Sequence, residues 1–165
     1  MRAEFTVRPL RRDEVEAVID HLAEVAEERR WIASEPPIPR ERWREQTLKA
    51  FDDPNCLVLA AVDCDDCIIG ELSAFGRESR PADIGMSVAR DWRGRGVGTA
   101  LMQACVEWAR GRGVHKLSLQ VWAHNEAALR LYEKFGFERE GLLRRHYRRQ
   151  SGEEWDAIVM GLLLE

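Results

Sequence analysis

The sequence predicts an α+β chain built on a mixed, mostly antiparallel sheet with one parallel crossover pair. Three observations predict it. In the first half, apolar runs are separated by turn residues too short to hold a helix, which reads as hairpins. The second half then runs strand, glycine-rich loop, helix, strand and helix, the order that makes a parallel pair. Further strand-like sequence follows the last helix, so the parallel pair has antiparallel neighbours.

"EFTVRPL" (4–10) alternates and opens the chain as a strand. Asp13 and Glu16 resemble a capping box, after which Val15, Val18, Ile19, Leu22, Val25 and Ala26 mark one helical face. His21 falls off that face and is expected at the surface. "SEPPIP" (34–39) is a loop, because its prolines cannot sit inside a helix. Trp43, Thr47, Leu48 and Phe51 suggest a second short helix. "CLVLAAV" (56–62) and "CIIGELSAF" (67–75) form a hairpin, and "ADIGMSVA" (82–89) a third strand. The next helix carries Val97, Leu101, Ala104, Cys105 and Trp108 on one face and stops at Gly111 and Gly113. "HKLSLQVWA" (115–123) is a strand. Asn125 can N-cap a helix with Ala128, Leu131, Tyr132 and Phe135 on one face, ended by Gly136. "EEWDAIVMGLLL" (153–164) is the final strand, and the arginine run 144–149 a solvated strand or loop face.

Bulk properties narrow the function classes. Residues 1–165 are read as a single domain, long enough for a core without staples. With 45% hydrophobic and 33% charged residues the composition is globular rather than disordered. A net charge of −4 gives no general drive toward nucleic acid or a membrane, so neither is expected as a partner and any anion site must be local. No apolar run approaches the roughly 18 residues of a membrane span, and the first residues lack the pattern of a signal peptide. A cytoplasmic location is therefore expected, with Cys56, Cys64, Cys67 and Cys105 as reduced thiols. Cys64 and Cys67 match C-x-x-C, but a tight turn explains "VDCDDC" equally well and no second pair or nearby His completes a zinc site. His115, His124 and His146 have no metal-ligand spacing. No metal is expected.

The stretch "RGRGVG" (93–98) carries the chemistry. Gly94, Gly96 and Gly98 have no side chains to block an anion and can take positive φ, so successive N–H groups can converge on one point at the positive end of a helix. Arg93 and Arg95 add charge, and Val97 and Thr99 continue the first turn. A tight turn alone needs only one glycine. A P-loop would need a Lys followed by Ser or Thr, which is missing. A dinucleotide fold would need G-x-G-x-x-G and a carboxylate closing the next strand, yet Thr99 stands in the third glycine's place and "LSLQVWAHN" supplies no carboxylate.

The stretch resembles the [QR]-x-x-G-x-[GA] signature of the GCN5-related N-acetyltransferases (GNAT). "NEAALRLYEKFGF" (125–137) resembles that family's second signature, an Asn-capped helix ending L-Y-x-x-x-G-F. The likeness runs from about residue 5 to the end and is strongest over 82–137; the segment 143–162 is similar to the tail of the ribosomal-protein N-terminal acetyltransferase branch. The resemblance implies a three-layer fold of about four helices, with the parallel strand pair splayed to admit the pantetheine arm. It implies acetyl-CoA as cosubstrate, its pyrophosphate on residues 93–99 and its arm against the backbone of Met86, Ser87 and Val88. By the same resemblance the Val88 N–H meets the thioester oxygen, Asn125 positions the cosubstrate, and Tyr132 gives a proton to the departing thiolate. Asn125 as a plain cap and Tyr132 as a plain core residue stay open alternatives.

The implied reaction is acetyl transfer to a primary amine, of a small molecule or a peptide N-terminus, by direct attack. Cys105, on a buried face, is not needed as a nucleophile. A non-catalytic acyl-CoA-binding domain is the rival reading. One departure bears on it: the ribosomal branch carries a basic glutamate where this chain has Gln120. Neutralising an α-amine of pKa ~8 costs about 1.4 kcal/mol at pH 7, against about 4.6 for a lysine-like amine, so a low-pKa acceptor is favoured. Glu71, Asp83 and Glu126 are the neighbouring carboxylates, with Asp83 offered as base. "EERRWIASEPP" (27–37) should form the acceptor lip facing "RRHYRR", with Trp31 either there or in the core. A homodimer through the C-terminal strands is compatible with this reading.

Overall fold

A computed structural model describes residues 4–164. The elements run β1 (Phe5–Pro9), α1 (Val15–Glu27), α2 (Arg40–Phe51), β2 (Cys56–Asp63), β3 (Ile68–Arg77), β4 (Arg80–Val88), α3 (Val97–Gly111), β5 (Lys116–Trp122), α4 (Glu126–Lys134), β6 (Glu138–Arg148) and β7 (Glu154–Leu163). The seven strands form one sheet in the order β1-β2-β3-β4-β5-β7-β6, antiparallel throughout except for the parallel pair β4–β5. Four helices on the two faces complete the three layers that the family resemblance implies.

Strand alternation sorts the core into two apolar clusters. On β2, Leu59 and Ala61 face one side with α3 and α4, while Ala60 and Val62 face the other with Val15, Val18 and Ile19 of α1. α3 buries Val97, Leu101, Met102, Cys105, Val106 and Ala109 at helical spacing, so its axis is fixed along the sheet and its first turn is held at the C-terminal end of β4. Among the described residues no helix is long and apolar enough to cross a membrane.

Three local expectations are corrected. A single 3₁₀ turn at Arg12–Glu14 precedes α1, which shifts the cap upstream of the Asp13/Glu16 pair. Glu14 accepts the Arg11 N–H at 2.8 Å and pairs with Arg8 at 2.6 Å, while Glu16 turns to Arg40 and Arg44 of α2. His21 is not at the surface but 4% exposed, because α1 lies flat on the sheet and a residue outside its apolar stripe still meets Ser87 of β4. β6 is a full strand for which the sequence supplied no alternation. Its residues are exposed except Leu143 and Tyr147, which are half-buried, and its register with β7 slips twice, with Arg145 at φ 50° inside the second slip. β6 and the short β1 are the two free edges of the sheet.

Candidate active site

The parallel strands meet at only two positions, Ala82 with Leu117 and Asp83 with Ser118, and part beyond them. Ladder geometry decides what fills the gap. Ala89 donates its N–H to Ile69 O of β3 at 2.8 Å, in the register that sets Val88 opposite Gly70 and Ser87 opposite Glu71. Backbone groups alternate in direction along an antiparallel strand, so the amides of Met86 and Val88 point away from β3 into the opening. The Val88 carbonyl on that side accepts Arg93 Nε at 3.0 Å. The Val88 amide remains a donor facing the space between β4 and β5.

Two chambers meet in this opening. The larger, of about 320 Å³, is lined by Met86, Ser87, Val88, Arg93, Gly94, Gly96, Val97, Gly98, Thr99, Asn125 and Tyr132, together with Trp92, Trp31 and Leu131 among others. Every residue predicted for cosubstrate binding is therefore on one lining, except Arg95. Arg95 turns away to Glu4 at 2.5 Å and lies 4.0 Å over the Trp92 ring. Arg93 does line the chamber, but its guanidinium is held by Glu28 at 2.6 and 2.8 Å. That pairing holds the Glu28 carboxyl below its ordinary range. Arg93 thus ties the end of α1 to the end of β4, and its charge is already partnered.

The loop itself matches the shape of an anion cradle. Gly94 has φ +72° and Gly96 φ +87°, and a Cβ at either would meet nothing within 4 Å. No backbone hydrogen bond of the described residues uses the amides of Gly94, Arg95 or Gly96. Val97, Gly98 and Thr99 are first-turn donors of α3, which have no acceptor within their own helix. The left-handed conformations and open space are what a pyrophosphate needs in order to approach successive amides.

The smaller chamber, of about 190 Å³, is lined by Trp31, Ile32, Met86, Gln120, Trp122, Asn125, Tyr132 and Tyr147 among others. Trp31, Ile32, Met86, Asn125 and Tyr132 line both, so they form the junction. Asn125 is also the cap of α4: its Oδ1 accepts the Ala128 N–H at 3.2 Å. Both readings of Asn125 are thus compatible with its place. Tyr132 is 7% exposed, packs on Phe137 at 5.7 Å between ring centroids, and has no hydrogen-bond partner for its hydroxyl among the described residues. Burial pushes its phenol up to about 12, so it keeps its proton across the ordinary pH range.

The segment expected as the acceptor lip lies against the end of the arginine run. Residues 29–36 are strapped to the β6–β7 turn: Arg29 donates to Gln150 Oε1 at 2.6 Å, Arg149 to Ala33 O at 2.8 Å, and Gln150 to Pro36 O at 3.0 Å. Trp31 sits on this strap and is a wall residue, not core. Gln120 accepts the Tyr147 hydroxyl at 2.6 Å. None of the three candidate carboxylates is on either lining. Asp83 is exposed where the strands part, and Glu126 faces Arg130 at 3.9 Å. Glu71 is buried under α1, beside a second buried polar pair in which His21 Nε2 and Ser87 Oγ share a 2.9 Å hydrogen bond. Burial pushes the Glu71 carboxyl up to about 7 against the hydroxyl donated by Ser73 at 2.9 Å, and pushes the His21 imidazole down to about 4 with help from the Arg93 charge. Sequence reasoning missed Trp122 as a wall residue and reached Tyr147 only as part of the "RRHYRR" segment. Both lie on strands whose neighbours are fixed by register across β7, which no local pattern encodes.

The architecture agrees with comparison to known proteins. Residues 17–137 match the model of the Acetyltransferase (GNAT) family, and the chain belongs to that family. An L-amino acid N-acetyltransferase, AaaT, of Escherichia coli K12 is 35% identical over 111 residues, which are 62% of this chain and 65% of that protein. The [ribosomal protein bS18]-alanine N-acetyltransferase of the same organism is 35% identical over 97 residues, 56% of this chain and 65% of that protein. The matched region is thus just under two thirds of each relative. The phosphinothricin acetyltransferase of Sinorhizobium meliloti, solved in complex with AcCoA, superposes with TM-score 0.87 at 17% identity over 98% of this chain and 89% of that chain, a likeness of fold.

Proposed function

We propose that this chain transfers an acetyl group from acetyl-CoA to a primary amine by direct attack, without a covalent enzyme intermediate. The observation that carries the reading is the junction: a pyrophosphate-shaped loop and an aromatic chamber open onto the same tyrosine hydroxyl and the same strand gap. Acetyl-CoA supplies the activated acyl group. The amides of 94–99 hold its diphosphate at the positive end of α3, and the backbone of Met86, Ser87 and Val88 receives the extended arm. The Val88 N–H, aimed into the gap, donates to the thioester oxygen; one such donor contributes about 3 kcal/mol to lowering a barrier. Tyr132 delivers its proton to the leaving thiolate. Asn125 fixes the start of α4 and hence the position of Tyr132.

Calorimetric titration with acetyl-CoA, CoA and ATP tests the cosubstrate. Acetyl-CoA and CoA should bind and ATP should not; binding of ATP alone would end the acetyl-transfer reading. Gly96→Ala places a Cβ in the cradle and forces a left-handed alanine, which costs roughly 1–2 kcal/mol. That strain is carried with or without ligand and lowers stability, whereas the Cβ itself, set among the amides, should obstruct the diphosphate and weaken CoA binding by about tenfold, or about 1.4 kcal/mol. A lining without a carboxylate favours the rival, a non-catalytic acyl-CoA binder. Release of free CoA in the presence of an amine separates the two.

A further inference from the structure

We infer that the acceptor is a small, weakly basic amine carried on an uncharged aromatic or apolar body, with neither a free carboxylate nor a strongly basic nitrogen. The inference rests on the acetyltransferase reading above and concerns the smaller chamber. Among the described residues its lining contains no Asp, Glu, Lys or Arg side chain. Gln120, the residue best placed on β5 to meet an incoming nitrogen, spends its oxygen on the Tyr147 hydroxyl at 2.6 Å. An ammonium entering this space would lose water and find no anion.

Aromatic walls could in principle replace a carboxylate by holding a cation over a ring. Here the two tryptophans of the lining already carry the protein's own cations. Trp31 carries the guanidiniums of Arg30 at 5.1 Å and Arg93 at 5.4 Å. Trp122 carries Arg149 at 5.5 Å, which also lies 4.4 Å over Trp155. A cationic ligand would meet like charge behind the walls. A free carboxylate finds no Lys or Arg side chain on this lining either, and behind the walls Arg93 is held by Glu28 while Arg149 donates to the carbonyls of Ala33 and Arg29. The strap supplies Trp31, Ile32 and Ala33 to the wall of this chamber of about 190 Å³, a volume that accommodates a compact acceptor.

The chemistry of the amine points the same way. At pH 7 an α-amine of pKa about 8 is roughly one tenth neutral, whereas a lysine-like amine is neutral about 250-fold more rarely. With no base on the lining, that fraction passes directly into rate.

Four acceptors sharing one ring test this: phenylalanine amide, phenylalanine, phenethylamine and a pentapeptide amide beginning with phenylalanine, with free CoA release measured at saturating acetyl-CoA. Phenylalanine amide should exceed each of the other three in kcat/KM at pH 7 by at least about tenfold, and the deficit of phenethylamine should shrink by about tenfold in all between pH 7 and pH 9, mostly above pH 8. Gln120→Glu should raise kcat/KM for phenethylamine relative to the amide. Equal or better turnover of phenylalanine, of phenethylamine at pH 7, or of the pentapeptide would overturn the inference and leave the acetyltransferase reading standing. Acetyl-CoA binding without turnover of any of the four would overturn both, in favour of the non-catalytic binder.

Discussion

Tyr132→Phe is expected to lower kcat by about 10²–10⁴, the usual contribution of a positioned general acid, with acetyl-CoA affinity and melting temperature nearly unchanged. The asymmetry follows from what the hydroxyl touches. The ring packs against Phe137 and phenylalanine keeps that contact, while the hydroxyl has no partner among the described residues and so supports no part of the fold. A phenol pushed up to about 12 by burial is a donor at every working pH, so the loss should be independent of pH between 6 and 9. Stopped-flow release of CoA with a saturating amine, beside a melting curve and a calorimetric Kd, reads all three quantities. An unchanged kcat would return Tyr132 to the role of a core residue.

Glu71→Gln should leave stability nearly unaltered at pH 4.5 and raise it by about 3 kcal/mol at pH 8. Burial lifts the folded carboxyl from 4.5 to about 7, so between those values the folded chain keeps a proton that the unfolded chain has released. Stability therefore falls as pH rises through that window, and the penalty is complete above it. His21 acts in the opposite sense. Its folded imidazole is pushed from 6.5 down to about 4, so the unfolded chain binds the extra proton and stability rises with pH between those values. The two slopes overlap and oppose each other in the wild type. Glutamine can accept the same Ser73 hydroxyl but cannot ionise, so the variant should show the rising His21 slope alone. Urea denaturation of both proteins at pH 4.5, 6 and 8 decides it. A gain equal at all three values would mean that ionisation of Glu71 is not the cause.

The glycine-loop side of the candidate site was legible because it is local. A strand, three alternating glycines and a helix start lie within about a dozen consecutive residues, and that order alone places Gly94, Gly96 and Thr99 on one wall. Tyr132 and Asn125 were reachable because one helix carries both, at spacings set by its own period. Three features depend instead on contacts distant in sequence. Arg95 looks like a phosphate ligand beside its glycines, yet its guanidinium is drawn to Glu4 across the fold. His21 lies outside an apolar stripe and is buried all the same, because the sheet offers Ser87 as a polar partner. Tyr147 and Trp122 become neighbours, 4.7 Å between ring centroids, only through the pairing of two strands with β7. β6 was only partly legible, as the solvated strand or loop face of 144–149, for a related reason: a strand exposed except at Leu143 and Tyr147 shows little alternation.

The rims of the sheet bear on how the molecule behaves in a crowded solution. One border is a five-residue ribbon closed by Pro9, and the other is kinked twice and studded with Arg139, Arg144, Arg145 and Arg148. Shortness, proline, irregular pairing and dense charge each deter a foreign ribbon from zipping on. Self-association of the folded molecule through edge-to-edge strand addition is thereby discouraged.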